Sequence, residues 1–85
     1  MAVVIYTTRF CPYCIRAKQL LSAKGVSFDE IAVDGKPDLR QEMTQESGRS
    51  TVPQIWIGEH HVGGCDDLFL LESAGKLDGL LAGQS

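Results

Sequence analysis

Two cysteines three apart, Cys11 and Cys14, are the residues in this chain whose type and spacing point most directly to chemistry. At the start of a helix such a pair lies one turn apart on one face, within disulfide range. It either cycles between dithiol and disulfide or supplies half of a zinc site. The zinc alternative needs two more ligands, and Cys65, His60 and His61 are available. The run His60-His61-Val62-Gly63-Gly64-Cys65, however, lacks the second-half spacing of a zinc ribbon or finger. The Pro12-Tyr13 insert also drives the pair into a helix and away from a metal knuckle. The redox pair is the favoured reading, and metal analysis of purified protein separates the two.

The flanking elements explain how the pair is presented. Val3-Val4-Ile5-Tyr6 is continuously apolar, as a central strand covered on both faces requires. Cys14, Ala17, Leu20 and Leu21 then repeat with helical period, which predicts a helix from about Pro12 to Lys24, with Gly25 just past its end. Pro12 suits the first helical position, since the amide it lacks would have been an orphan donor there. Cys11 falls at the N-cap, where the helix dipole and unpaired amides favour a thiolate, whereas Cys14 lies inside the first turn and is more covered.

Val26 to Val33 reads as a second strand. Val26 and Phe28 have one parity and Ile31 and Val33 the other, so a bulge or bend near Asp29-Glu30 is expected. Strand, helix, strand in about thirty residues is a right-handed βαβ unit with parallel strands. After the turn at Asp34-Gly35, a polar helix runs from Pro37 to Ser47 with Leu39 and Met43 inward, closed by Gly48. Asp38 with Gln41 offers a capping box and Pro37 a first helical residue as alternative starts. Gln54–Ile57 and His60–Val62 are antiparallel strands about Gly58-Glu59, a type II′ loop with Gly first. His60 and His61, adjacent on a strand, must point to opposite faces. Gly63-Gly64 leads into a last helical region with Asp66 and Asp67 in its first turn. Leu68, Leu71 and Phe69 face inward there, and Gly75 interrupts before Leu77, Leu80 and Leu81. The order is βαβαββα, with a tail expected to fray from Gly83.

Eighty-five residues form one domain, residues 1–85, because two cores could not both be buried at this length. The chain is 44% hydrophobic and 22% charged, an ordinary globular composition. Three cysteines are too few for a disulfide-stapled secreted scaffold and leave one thiol unpaired, so a reducing, cytoplasmic location is expected. No signal peptide or membrane-spanning run is legible. Net charge is −3, yet seven of the eight basic residues lie in the first fifty positions. There is no basic stripe with interleaved aromatics, which argues against nucleic acid, whereas the local Arg and Lys excess beside the cysteines suits a small anion.

Cys11-Pro12-Tyr13-Cys14, then Thr51-Val52-Pro53, then Gly63-Gly64-Cys65-Asp66-Asp67, in that element order, closely resembles the short bacterial dithiol glutaredoxins. The resemblance covers nearly the whole chain. It implies the α/β thioredoxin fold, a four-stranded mixed sheet flanked by helices, and a monomeric glutathione-dependent oxidoreductase. Its partners would be glutathione and glutathionylated or disulfide-bonded proteins, with ribonucleotide reductase a candidate. Glutathione would be the co-substrate, with no metal, and NADPH would enter only through glutathione reductase. Cys11 would be the nucleophile and Cys14 the resolving thiol, the two forming the redox-active disulfide. Thr51-Val52-Pro53 would hold a cis bond that exposes the Val52 backbone to glutathione. Gly64, Cys65 and Asp66 would take its γ-glutamyl end, with Tyr13 as one wall. The family often has lysine where this chain has Thr8, so Arg9 is the expected substitute, with Arg40 or Gln54 as further candidates. Cys65 reads either as a packed small hydrophobe that binds through its backbone or as a third redox thiol. An iron-sulfur carrier, with Cys11 and glutathione ligating a cluster across a dimer, is the alternative function. The colour of freshly purified protein discriminates it.

Overall fold

The computed structural model describes residues 3–83. The elements are β1 (Val3–Thr7), α1 (Pro12–Ala23), β2 (Asp29–Ala32), α2 (Pro37–Ser47), β3 (Gln54–Ile57), β4 (His60–Gly63), α3 (Cys65–Ser73) and α4 (Leu77–Ala82). They form one four-stranded sheet in the order β2-β1-β3-β4, with β1 parallel to β2 and antiparallel to β3. This is the thioredoxin fold that the resemblance implied. Gly75, at φ 71°, breaks the last helical region into α3 and α4. Beyond Gly83 the expected frayed tail lies outside the described residues.

Both faces of the sheet are covered, by different partners. Val3, Ile5, Ile55 and Ile57 pack with Ala17 and Leu21 of α1, Cys65 and Leu68 of α3, and Leu77 and Leu81 of α4. On the other face Tyr6 and Val33 pack on Met43 of α2, with Leu39 and Trp56 beside them. This removes the need for a bulge in the second strand. Val26 and Phe28 pack on the first cluster and Ile31 and Val33 pack on the second, so opposite parity is what two covered faces demand. The strand itself is only Asp29–Ala32, in unbroken register with β1.

Local chemistry sets the ends of the elements. The expected C-terminus of α1 is a Schellman motif: Gly25 N–H donates to Ser22 O (3.0 Å) and Val26 N–H to Leu21 O (3.4 Å). The start of α2 is decided for Pro37 in the first turn, with Lys36 as an N-cap that makes no side-chain bond. Gly58 has φ 61°, as the two-residue hairpin loop wants. Lys24, at the C-cap of α1, bridges Glu72 of α3 (2.7 Å) and Asp78 of α4 (2.8 Å), tying three helix ends together. No helix of the described residues is long and apolar enough to cross a membrane.

Candidate active site

Strand β1 delivers the chain to the N-terminus of α1, where Cys11 is the N-cap in extended conformation and Pro12 opens the helix. Cys11 Sγ accepts the amide of Cys14 (3.1 Å) and lies 3.8 Å from Val52 O, to which its thiol donates. The nucleophile candidate is therefore held between a helix N-terminus and the Thr51-Val52-Pro53 segment. The Val52-Pro53 bond is cis, as expected.

All three thiols are reduced and largely covered. Cys11 is only 8% exposed, yet more open than Cys14 at 1% and Cys65 at 4%, the order expected of an N-cap and a first-turn residue. Burial first, and then the hydrogen bond with Cys11, push the Cys14 thiol up to about 12. Burial likewise raises Cys65, which packs within the larger core cluster, in line with a structural sulfur. Iodoacetamide at pH 6 is accordingly expected to label Cys11 well before the other two. Equal labelling of all three in folded protein, read by peptide mass mapping, would remove the nucleophile assignment.

A groove of about 470 Å³ opens beside the pair, within the usual size range for a small-molecule site. It is lined by Tyr13, Thr51, Val52, Pro53, Gly64, Cys65 and Asp66, all expected there, and also by Arg49 and Asp67. The first-turn amides of α3, which a helix leaves without internal partners, lie along it. Asp66 is exposed and makes no ion pair among the described residues, so its carboxylate is available to a ligand cation.

Arg9 is not in this groove. It lines a separate one of about 530 Å³ with Thr8, Lys18, Glu30, Asp34 and Lys36, and its backbone amide donates to both carboxylate oxygens of Asp34 (3.0 and 2.8 Å). Gln54 does not line the groove beside the cysteine pair either. It is fully buried, and its Nε2 donates to Thr51 O (3.1 Å) and Thr51 Oγ1 (3.2 Å), while Oε1 faces His61 Nε2 at 2.8 Å. Because a carbonyl can only accept, the Thr51 contact fixes the amide orientation, and His61 must then donate from Nε2. Gln54 thus supports the groove from beneath. Arg40, whose Nη2 donates to Ser50 O (2.9 Å), stays next to the Thr51 end.

Two residues of the groove, Arg49 and Asp67, had no binding role assigned from the sequence. Asp67 Oδ2 accepts the amide of Gly64 (2.9 Å) and an Arg49 Nη1 hydrogen bond (2.9 Å), pinning the β4–α3 loop to the chain that precedes the cis bond. The first of these is half of a capping box, and an acid three residues after the N-cap is a legible signal. The second joins residues 18 apart and has no local signature. The Gly64 amide and then Arg49 hold the Asp67 carboxyl below the usual carboxylate range.

His61, its ring 4.7 Å from that of Trp56 and tilted by 35°, is held below the usual imidazole value by burial and then by Arg49, against an opposing pull from Asp67 and a smaller push from His60. A depressed folded value means that this histidine's contribution is complete above about pH 6.5 and is lost as pH falls through the folded value. The contribution of Asp67 follows the same sign at lower pH, below about 4. The melting temperature is therefore expected to fall between pH 7.5 and 5, with most of that slope removed by His61→Gln, which keeps a donor but cannot titrate. A wild-type melting temperature that is flat over this range would contradict it.

Among the described residues no group of three His, Cys, Asp or Glu side chains is arranged to hold a metal ion. The sequence profile of the glutaredoxin family matches residues 3–62. The glutaredoxin of Pseudomonas aeruginosa is 72% identical over 80 residues, spanning 94% of this chain and 95% of its own. Glutaredoxin 3 of Escherichia coli is 60% identical over 79 residues, 93% and 95% of the two chains. Among solved structures, the Brucella melitensis glutaredoxin superposes with a TM-score of 0.85 at 59% identity over 95% of this chain and 88% of its own. A buckwheat glutaredoxin–glutathione complex does so with 0.90 at 31%, over 98% and 78%. With a dithiol at a helix N-terminus facing a cis-proline groove, and with these relatives along nearly its whole length, the chain belongs to the glutaredoxins and is a thiol-disulfide oxidoreductase.

Proposed function

We propose that this protein reduces mixed disulfides between glutathione and proteins, and protein disulfides, in a reducing cytoplasm, with glutathione as electron donor. The observation that carries the reading is the position of Cys11 Sγ, 3.8 Å from Val52 O at the mouth of a groove that ends on the α3 N-terminus. The Val52 backbone pairs with the cysteine residue of glutathione. The γ-glutamyl carboxylate meets the α3 amides and its ammonium meets Asp66, each a charge-assisted contact. Arg40 is better placed than Arg9 for the glycine carboxylate, since it already bonds the residue before Thr51. A buckwheat relative solved as a glutathione complex supports the ligand class.

The exchange needs no reductant beyond glutathione. Cys11 thiolate attacks the glutathionyl sulfur, forming a Cys11–glutathione disulfide and releasing the protein thiolate, which takes a proton from water. A second glutathione thiolate then attacks the bound glutathionyl sulfur, restoring Cys11 and releasing glutathione disulfide. On a protein disulfide, Cys11 thiolate attacks one sulfur and expels the other as a thiolate that solvent protonates. Cys14 then attacks Cys11 Sγ, forming the Cys11–Cys14 disulfide and releasing the second protein thiol, and two glutathiones reduce that bond in two exchanges and leave as glutathione disulfide.

A coupled assay with a small glutathionylated disulfide, glutathione, glutathione reductase and NADPH tests this. Glutathione-dependent NADPH oxidation is expected. Turnover supported by thioredoxin reductase and NADPH without glutathione would overturn the reading.

A further inference from the structure

Four large apolar side chains stand in solvent among the described residues: Phe10 at 89%, Leu70 at 67%, Tyr13 at 56% and Ile15 at 48%. Scattered singly, such residues need no explanation. Three of the four, however, fall in the six residues 10–15 that contain both active cysteines. Phe10 is the most exposed and immediately precedes Cys11, and it belongs to neither core cluster. It also lines neither the groove assigned to glutathione nor the one beside Arg9. Its exposure is built in. The Arg9 amide is clamped by both oxygens of Asp34 on one side, and Cys11 is fixed as the α1 N-cap on the other.

A mixed disulfide brings two halves to Cys11, and the groove with Tyr13, Val52 and Asp66 accounts for one of them. We propose that Phe10 reads the other half, docking an apolar side chain next to the cysteine of a glutathionylated polypeptide. This rests on the function proposed above and names its polypeptide substrate class: segments in which the modified cysteine has a large aliphatic or aromatic neighbour. In the step itself, Cys11 thiolate bonds to the glutathionyl sulfur and the peptide thiolate leaves, protonated by solvent. Phe10 contributes contact area to the leaving peptide and takes no part in the bond exchange. Covering most of an exposed phenyl ring by such a neighbour favours binding by about tenfold.

The test uses the full chain with two glutathionylated peptides that differ only in leucine or serine beside the modified cysteine. The mixed disulfide of glutathione with 2-mercaptoethanol serves as common reference. The wild type is expected to favour the leucine peptide about tenfold in kcat/KM, chiefly through KM. Phe10→Ser should bring the two peptides within about twofold, and Phe10→Leu should keep at least half of the preference. Since Phe10 packs in no core, unchanged melting of Phe10→Ser is expected. If that variant melts early, the Phe10→Leu ratio decides, and a ratio near one there overturns the proposal. Wild type active on the reference but indifferent between the peptides overturns the proposal alone. Wild type inactive on all three overturns the underlying function as well. Concentration-dependent self-association lost in Phe10→Ser would assign the side chain to a second copy of the chain, and so would also overturn it.

Discussion

Cys14→Ser is expected to retain activity on a glutathione mixed disulfide within about tenfold of wild type, and to lose roughly a hundredfold or more on a protein disulfide. Cys11→Ser should lose both activities. The asymmetry follows from what each sulfur touches. Cys11 Sγ is at the groove mouth beside Val52 O, so it can meet the ligand, whereas Cys14 is sealed within the first turn of α1. Burial holds the Cys14 thiol well above the usual cysteine value, so very little of it is thiolate at neutral pH. Burial, the main cause, persists through the cycle. The second cause, the hydrogen bond with Cys11, disappears once Cys11 is in a disulfide, so Cys14 becomes easier to ionise at the step where it must attack.

Cys14 therefore owes its competence to proximity. Its high effective concentration compensates for a small thiolate fraction when the mixed disulfide is with a protein that glutathione reaches poorly. On a Cys11–glutathione disulfide, free glutathione can perform the same attack. The serine variant also cannot enter the Cys11–Cys14 side branch. Steady-state assays with both substrate types read the split directly. Loss of deglutathionylation in folded Cys14→Ser as complete as in Cys11→Ser would exclude a monothiol route. Cys65→Ser should alter either activity little, given its place in the core.

What was legible beforehand was local. Pro12 at the first helical position, Gly25 past the end of α1 and Gly58 in the hairpin are decided by nearest neighbours and steric rules, and the structure has each where its chemistry puts it. The two-sided core was harder to read. Opposite parity of Val26/Phe28 and Ile31/Val33 suggested a bulge only on the assumption that one face is buried. Once α2 covers the far face, the same residues need none. Long-range polar pairing was invisible: nothing near Arg49 announces Asp67, and nothing near Arg9 announces that Asp34 will hold its amide in a different groove. Gln54 offered a partial clue. A lone amide in the apolar run Gln54-Ile55-Trp56-Ile57 must find partners if buried; Thr51 is a local one three residues back, but His61 is identified only when β4 is folded against β3.

Gly63→Ala should destabilise the loop behind the groove far more than the same added methyl at the lining residue Gly64. Gly63 has φ 113°, a left-handed value that an L side chain rarely adopts. A Cβ there would overlap Asp67 Oδ2, lie 2.8 Å from Asp67 Cγ and 3.1 Å from Arg49 Nη1. Neither can withdraw freely, because the Asp67 carboxylate is also the acceptor for the Gly64 amide and the partner of Arg49. Backbone strain and a broken clasp together should cost about 2–3 kcal/mol and lower the melting temperature by about 10 °C or more. The KM for glutathione should rise as the α3 amides shift. Gly64→Ala is the informative comparison. With φ −94° it is unstrained, and its Cβ would meet only Pro53 O at 3.5 Å and Asp67 Oδ2 at 3.9 Å, ordinary contact distances. That variant should melt within a few degrees of wild type yet weaken glutathione, since the added methyl faces the cis-proline wall of the groove. Thermal melts and KM values for the two alanines therefore separate the clasp from the binding surface. Equal melting of Gly63→Ala and wild type would show that Asp67 is not held against the glycine as the hydrogen bonds require.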